Sequence, residues 1–202
     1  MEEVREYTSL SDILVRSPQK KEHLIDNPLY ELWKCSNRAD NELRIKLADC
    51  YSWAVPSETA LRAIVACSPI VEIGAGSGYW AHLISQYGGD ILAFDKHLPL
   101  ENEAYPFQKE WFPIEIGGPE KAKEHNKRSL FLCWPPIDHP FAYECLKEYK
   151  GEIFIYVGTK RGFYTGDDRF FDKIASEWKA IEKMAIPRWH GIFDSLSIYV
   201  RR

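Results

Sequence analysis

The chain predicts an α/β protein: a doubly wound, mostly parallel sheet preceded by a helical N-terminal extension. Three observations carry this. From residue 69 onward, short apolar runs bounded by turn residues alternate with helical patterns, the signature of a parallel sheet. The first run, Pro69-Ile70-Val71-Glu72-Ile73, breaks into glycines at alternate positions, Gly74, Gly76 and Gly78, and a helical pattern follows at once. The last two runs follow one another without a helix between them, as a closing β-β pair does.

The elements follow in order. Residues 1–55 read as a helical extension in which Leu43, Ile45, Leu47 and Tyr51 are mixed with charges, and Pro18 and Pro28 break it into short pieces. Ser57 is placed to cap the next helix, whose apolar face runs Leu61, Ile64, Val65 and on to Cys67 or Ser68. Pro69 stops that helix. Strand one spans Ile70 to Gly74. Trp80, Leu83, Ile84 and Tyr87, at i, i+3, i+4 and i+7, form a helix face that Gly88-Gly89 terminates. Strand two is Ile91 to Asp95 and strand three Trp111 to Ile116. Strand four is Ser129 to Trp134, stopped by Pro135-Pro136. A helix over 141–149, strand five over 153–157, a helix over 170–178, and strands six (182–186) and seven (196–200) complete the chain. Two segments result: the extension, 1–55, and a ligand-binding domain, 56–202.

Composition bounds the partners. With 202 residues, 45% hydrophobic and 28% charged, the chain fits one ordinary globular domain plus its extension. A net charge of −4 disfavours a broad nucleic-acid face. Lys20-Lys21, Lys121-x-Lys123 and Lys127-Arg128 are the basic clusters, read as solvated surface. The five cysteines lack C-x-x-C or His-rich spacing, so no metal site is expected, and they read as reduced thiols of a cytoplasmic or nuclear protein. Met1 to Arg5 is acidic, with no secretory h-region, and no apolar run reaches membrane-spanning length, so no membrane partner is expected.

The glycine turn carries the functional reading. Glycines there permit positive φ and close backbone approach, and the helix start beyond offers free N–H groups to a ligand. A dinucleotide fingerprint reads G-x-G-x-x-G; here Tyr79 stands at the third glycine position, which argues against a nucleotide-binding oxidoreductase. Glu72-x-Gly74-x-Gly76-x-Gly78 instead resembles the first motif of class I S-adenosylmethionine (SAM)-dependent methyltransferases. Asp95, about 20 residues past the glycines, agrees with an acid that binds a ribose. The resemblance spans residues 69–202. It implies a seven-stranded sheet of order 3-2-1-4-5-7-6 with strand seven antiparallel, and SAM as cofactor with S-adenosylhomocysteine as product. It also implies that Gly74, Ala75, Gly76 and Gly78 lie along the methionine part. Glu72 would orient the amino-acid end and Asp95 the ribose, with Lys96 and Cys133 beside them.

The acceptor side is less defined. Strand four ends Cys133-Trp134-Pro135-Pro136-Ile137-Asp138-His139. Family members that methylate amino groups of bases or of protein glutamine have Asn/Asp-Pro-Pro-aromatic there. Trp134 replaces the polar acceptor and Ile137 the aromatic, so an amine target on nucleic acid or protein is disfavoured. A scaffold without turnover is the alternative that this departure motivates. Trp134, Asp138 and His139 are the expected catalytic residues, Trp134 by stacking and the other two as bases. Trp53, Trp134, Arg161, Tyr164, Trp189 and His190 are expected to line the acceptor pocket, because ligands sit at the carboxyl ends of the strands. The glycines around Arg161 suit a mobile lid. The acceptor itself is not named by the sequence.

Overall fold

The computed structural model describes residue 9, residues 25–103 and residues 105–202. The expectations placed on Met1 to Arg5, Pro18 and Lys20-Lys21 lie outside the described residues.

Each helix start has a local cause. Asn27 caps α1 (Pro28–Cys35) by accepting from the Tyr30 amide at 3.1 Å, with Pro28 in the first turn where its missing N–H is harmless. Asp40 caps α2 (Asn41–Cys50) through the Leu43 amide at 2.9 Å. Ser57 caps α3 (Glu58–Val65) as its position predicted, through the Ala60 amide at 3.3 Å. The rest run β1 (Ile70–Ile73), α4 (Tyr79–Gln86), β2 (Ile91–Asp95), a 3-10 turn (Pro99–Glu101), β3 (Glu115–Ile116), α5 (Glu120–Glu124), β4 (Ser129–Cys133), α6 (Phe141–Glu148), β5 (Ile153–Gly158), α7 (Asp168–Glu177), β6 (Trp178–Ala185) and β7 (Ser195–Arg201).

The seven strands form one sheet of order β3-β2-β1-β4-β5-β7-β6. β7 runs antiparallel to β5 and β6, and the remaining neighbours are parallel. This is the order and direction that the resemblance implies. Side-chain alternation divides the core into two layers. Ile70, Phe131, Ile155, Leu196 and Ile198 pack with α3 and α4, together with Leu29 and Leu47 of the extension. Val71, Ile73, Leu130, Leu132, Phe154 and Tyr156 pack with Ala122, Cys145, Leu146 and Phe170 of α5, α6 and α7. β1 lies inside the sheet, between β2 and β4, with all four residues buried.

Two strands depart from expectation. β3 is only two residues long, and Trp111 lies outside it. Pro113 has no N–H for a ladder, and the Trp111 amide is already committed to the Ser77 carbonyl at 2.8 Å. β6 begins four residues earlier than expected. Trp178 turns extended at the end of α7 and buries its ring, and a bulge between Ala180 and Glu182 disrupts the alternation by which a strand is read.

Candidate functional site

The turn after β1 is left-handed at all three glycines, with φ of 77° at Gly74, 57° at Gly76 and 75° at Gly78. Side chains rarely adopt that region, so glycine is strongly favoured there. The turn is fastened to the end of β2. The Gly74 and Ala75 amides donate to the Phe94 carbonyl at 2.8 and 3.0 Å. The Gly76 amide donates to Asp95 Oδ2 at 2.9 Å, and the His97 amide to Oδ1 at 3.2 Å. Asp95 therefore shapes the turn as well as bordering it. Burial raises its carboxyl pKa, and the backbone donors pull it back.

Glu72 is buried in the strand just before the turn. Burial first, then the charge of Asp95, holds its carboxyl well above the usual range, while the Ala81 amide in the first turn of α4 opposes them. Its Oε2 has no partner. A carboxylate oxygen left unpaired in the interior is costly, and its place, beneath the glycine turn, is where the amino-acid end of the cofactor is expected.

Aromatic rings already occupy the space that the glycines leave. A Cβ at Gly76 would stand 2.8 Å from Phe107, and one at Gly74 would stand 2.9 Å from Phe141. The segment carrying Phe107 is pinned over the turn. Gln108 donates to the Asp49 carbonyl at 2.9 Å, and the Trp111 indole to the Cys50 carbonyl at 2.8 Å. Tyr79, at the position that decided against a dinucleotide, is buried. Its hydroxyl donates to Asn27 Oδ1 at 2.9 Å and accepts from the Leu29 amide at 3.3 Å. Ser77 Oγ donates to the Tyr51 carbonyl. The extension is thus bound directly to the helix that starts at the glycines.

The second half of the site surrounds Trp134. This residue sits at φ 52°, a left-handed conformation imposed at the end of β4, with its amide on the Val157 carbonyl at 2.8 Å. Its ring lies nearly parallel to Trp53 (centroids 5.4 Å apart, 14°) and to Tyr164 (6.4 Å, 13°). The Arg44 guanidinium from α2 lies over both indoles, 5.0 Å from Trp53 and 5.2 Å from Trp134. Burial lowers the Arg44 pKa, Asp194 and Tyr164 oppose it, and its Nε has no partner.

Asp194, just before β7, is fully buried. Oδ1 accepts from Trp134 Nε1 at 2.8 Å, and Oδ2 has no partner. Burial pushes its carboxyl up to about 6, against the Trp134 hydrogen bond and the charges of Arg44 and Arg188. Cys133 lies between the two halves: burial, then the carboxylates of Glu72 and Asp194, raise its thiol well above the ordinary range, so it is no nucleophile.

The structure thus gathers Glu72, Gly74, Ala75, Gly76, Gly78, Asp95 and Cys133 on one side, and Trp53, Trp134 and Tyr164 on the other. Several expected residues lie elsewhere. Asp138 and His139 are exposed; the Asp138 amide donates to the Gly166 carbonyl at 3.2 Å, and His139 Nδ1 accepts from the Phe141 amide at the start of α6. Lys96 is exposed as well. Arg161 turns away to pair with Asp168 and Asp172 of α7. Trp189 is buried in the apolar core with Ile186 and Ile192, and His190 is exposed with its amide on the Arg38 carbonyl. The expected lid is tied down at its base: Thr165 Oγ1 is 2.6 Å from the Tyr156 hydroxyl and accepts from the Thr159 amide at 3.0 Å. Asp194 and Arg44 were not anticipated. The signal for Asp194 was a lone acid between apolar runs in the loop entering the last strand; Arg44 carried none. Among the described residues, no cluster of His, Cys, Asp and Glu could hold a metal ion, and no helix is long and apolar enough to cross a membrane.

No family model and no curated protein matches the chain. Solved structures do. Magnesium protoporphyrin IX methyltransferase from Synechocystis, with bound SAM, is 10% identical over 86% of this chain and 89% of that one, with a TM-score of 0.48. A TehB-like SAM-dependent methyltransferase from Corynebacterium glutamicum is 13% identical over 82% and 98%, at 0.47. The tRNA (uracil-54, C5)-methyltransferase of Pyrococcus abyssi, in complex with S-adenosyl-L-homocysteine, is 15% identical over 73% and 39%, at 0.43.

Proposed function

We propose that this chain binds SAM at the carboxyl ends of β1 and β2 and transfers its methyl group to an acceptor held beside Trp134. The observation that carries the reading is the turn itself: three left-handed glycines fastened by Asp95 at the end of β2, over a buried Glu72 with an unpaired oxygen. Those residues fit the cofactor. Glu72 offers an acceptor to an ammonium group, and Asp95, partly exposed, retains lone pairs for ribose hydroxyls. When bound, SAM supplies an electrophilic methyl group on a sulfonium.

The chain's own part is alignment and proton removal. Trp134, held by its hydrogen bond and by its contacts with Trp53 and Tyr164, presents a rigid wall. Asp194, buried with an unpaired Oδ2 and bonded to Trp134, joins Asp138 and His139 as the base for the proton that the acceptor loses. Arg44 already lies on the Trp53 and Trp134 faces. A cationic acceptor would meet that guanidinium, so the pocket favours a neutral or anionic one. A second reading, a SAM-fold scaffold without turnover, is favoured by Phe107 and Phe141 filling the glycine spaces.

Calorimetric titration with S-adenosylhomocysteine, SAM and NAD tests the reading. Binding of the first two, lost in Asp95→Ala, is expected. Binding of NAD alone, or of none, overturns it. Methyl-transfer assays across acceptor classes then separate the enzyme from the scaffold.

A further inference from the structure

A cleft of about 400 Å³ opens on the sheet face opposite α3 and α4. β7 forms its floor, through Ser195, Ser197 and Tyr199, which alternate with the core residues Leu196 and Ile198. Four cations line it, Lys160, Arg161, Lys183 and Arg188, and no carboxylate does. Asp168 and Asp172 neutralise Arg161. The other three have no ion-pair partner among the described residues. Arg188 Nε donates to the Asp194 carbonyl at 2.8 Å, and Lys160 Nζ lies 4.9 Å above the ring of Phe163. In a chain of net charge −4, this is a local concentration of positive charge.

The same cleft carries exposed aromatic surface. Phe193 is 54% exposed and meets Phe163 edge to face, with centroids 6.2 Å apart at 82°. A hydrophobic ring left half in water beside unpaired cations has no role in the core. Rings that stack bases next to cations that hold phosphates are the elements by which single-stranded nucleotides are bound without metal. The volume is within the range of small-ligand pockets.

We propose that this cleft binds a nucleotide, with its base against Phe193 and its phosphate between Lys160, Lys183 and Arg188. The site is separate from the glycine turn, and the proposal stands whether or not methyl transfer occurs. An acidic peptide would satisfy the cations and leave the exposed ring unused.

Fluorescence anisotropy of labelled pentauridylate, with uridine monophosphate, inorganic phosphate and hexaglutamate as competitors, tests this on the full chain. The strand should bind, with an affinity that falls as salt rises. Lys160→Gln/Lys183→Gln should weaken binding about tenfold or more and reduce the salt slope by about 1.4, the share of two phosphate contacts on a single strand. Phe193→Leu should weaken it several-fold at an unchanged slope. All three positions are at the surface, and an unchanged melting curve verifies that each variant is folded. Competition by uridine monophosphate assigns the site to a free nucleotide; competition only by unlabelled strand assigns it to a chain. The proposal is overturned if pentauridylate does not bind at low salt, if the lysine variants bind as the native protein does, or if hexaglutamate competes as well as pentauridylate. Asp95→Ala should bind the strand normally; a loss there would move the binding to the glycine turn and overturn the assignment equally.

Discussion

Trp134 Nε1 and Asp194 Oδ1 stand 2.8 Å apart, joining the end of β4 to the entry of β7 across 60 residues of sequence. The bond does two things. It fixes the indole in its left-handed turn, and it leaves the second carboxylate oxygen of Asp194 buried and unpaired.

The first prediction is a pH profile. Methyl transfer should rise as Asp194 ionises, with a midpoint at about 6, and Asp194→Asn should abolish the dependence together with most of the rate. The sign for stability is opposite. Because burial raises the folded pKa, the protonated carboxyl favours the fold below its unfolded pKa, and that contribution is lost as pH rises through about 6. The amount is on the order of 3 kcal/mol. Thermal melts at pH 5 and pH 8 span about half of that amount, and Asp194→Asn should close the gap between them.

Trp134→Phe keeps a ring in the stack and removes the N–H. Asp194 then has no side-chain donor on either oxygen, which should cost about 1–3 kcal/mol in urea unfolding. The same loss should move the midpoint of the pH profile upward, since the Trp134 bond is what opposes burial most. An unmoved midpoint would sever the link between the two residues. Trp134→Ala, which also empties the stack, should lower turnover further than Trp134→Phe does.

Much of this frame was legible in the sequence, and the exceptions have physical causes. The glycine turn, the Asp95 that ends β2 and the Ser57 cap are local, so their spacing carried them. The closing pair was legible as two strands with no helix between, and its antiparallel direction came from the family resemblance. Trp111 reads as a strand residue because it begins an apolar run, yet Pro113 and the bond to Ser77 take it out of the sheet. Trp189 and Trp134 look alike as aromatic residues in loops, and only packing separates the buried ring of Trp189 from the half-buried ring of Trp134. Asp138 and His139 were favoured because they follow the Pro-Pro turn; Asp194 reaches the same turn from the other end of the domain, a distance that no motif records.

Asp95→Ala should weaken S-adenosylhomocysteine binding by about 1.5–3 kcal/mol, the scale of hydrogen bonds to a charged group. It also frees the Gly76 amide. Asp95→Asn, which keeps an oxygen for that amide, should recover turn stability while leaving much of the affinity lost. If both variants lose equal affinity and equal stability, Asp95 holds the turn and does not touch ribose.

Gly76→Ala places a methyl group 2.8 Å from Phe107, at a φ that disfavours it. It should destabilise the protein by about 1–3 kcal/mol. Phe107→Ala removes the obstacle, so the double variant should be more stable than the two single effects predict. A double-mutant cycle by denaturant unfolding measures this, with a coupling of about 0.5–3 kcal/mol expected for residues in contact; additive effects would show that Phe107 leaves the turn readily.

The phenol of Tyr79 holds Asn27 and the Leu29 amide from within the first turn of α4. Amide exchange in α1 and α4 should therefore follow a common opening free energy, because neither can leave while the other stays bonded. A ligand that clamps the glycine turn would slow exchange in a helix that lies some 50 residues earlier in the chain, and Tyr79→Phe would uncouple the two.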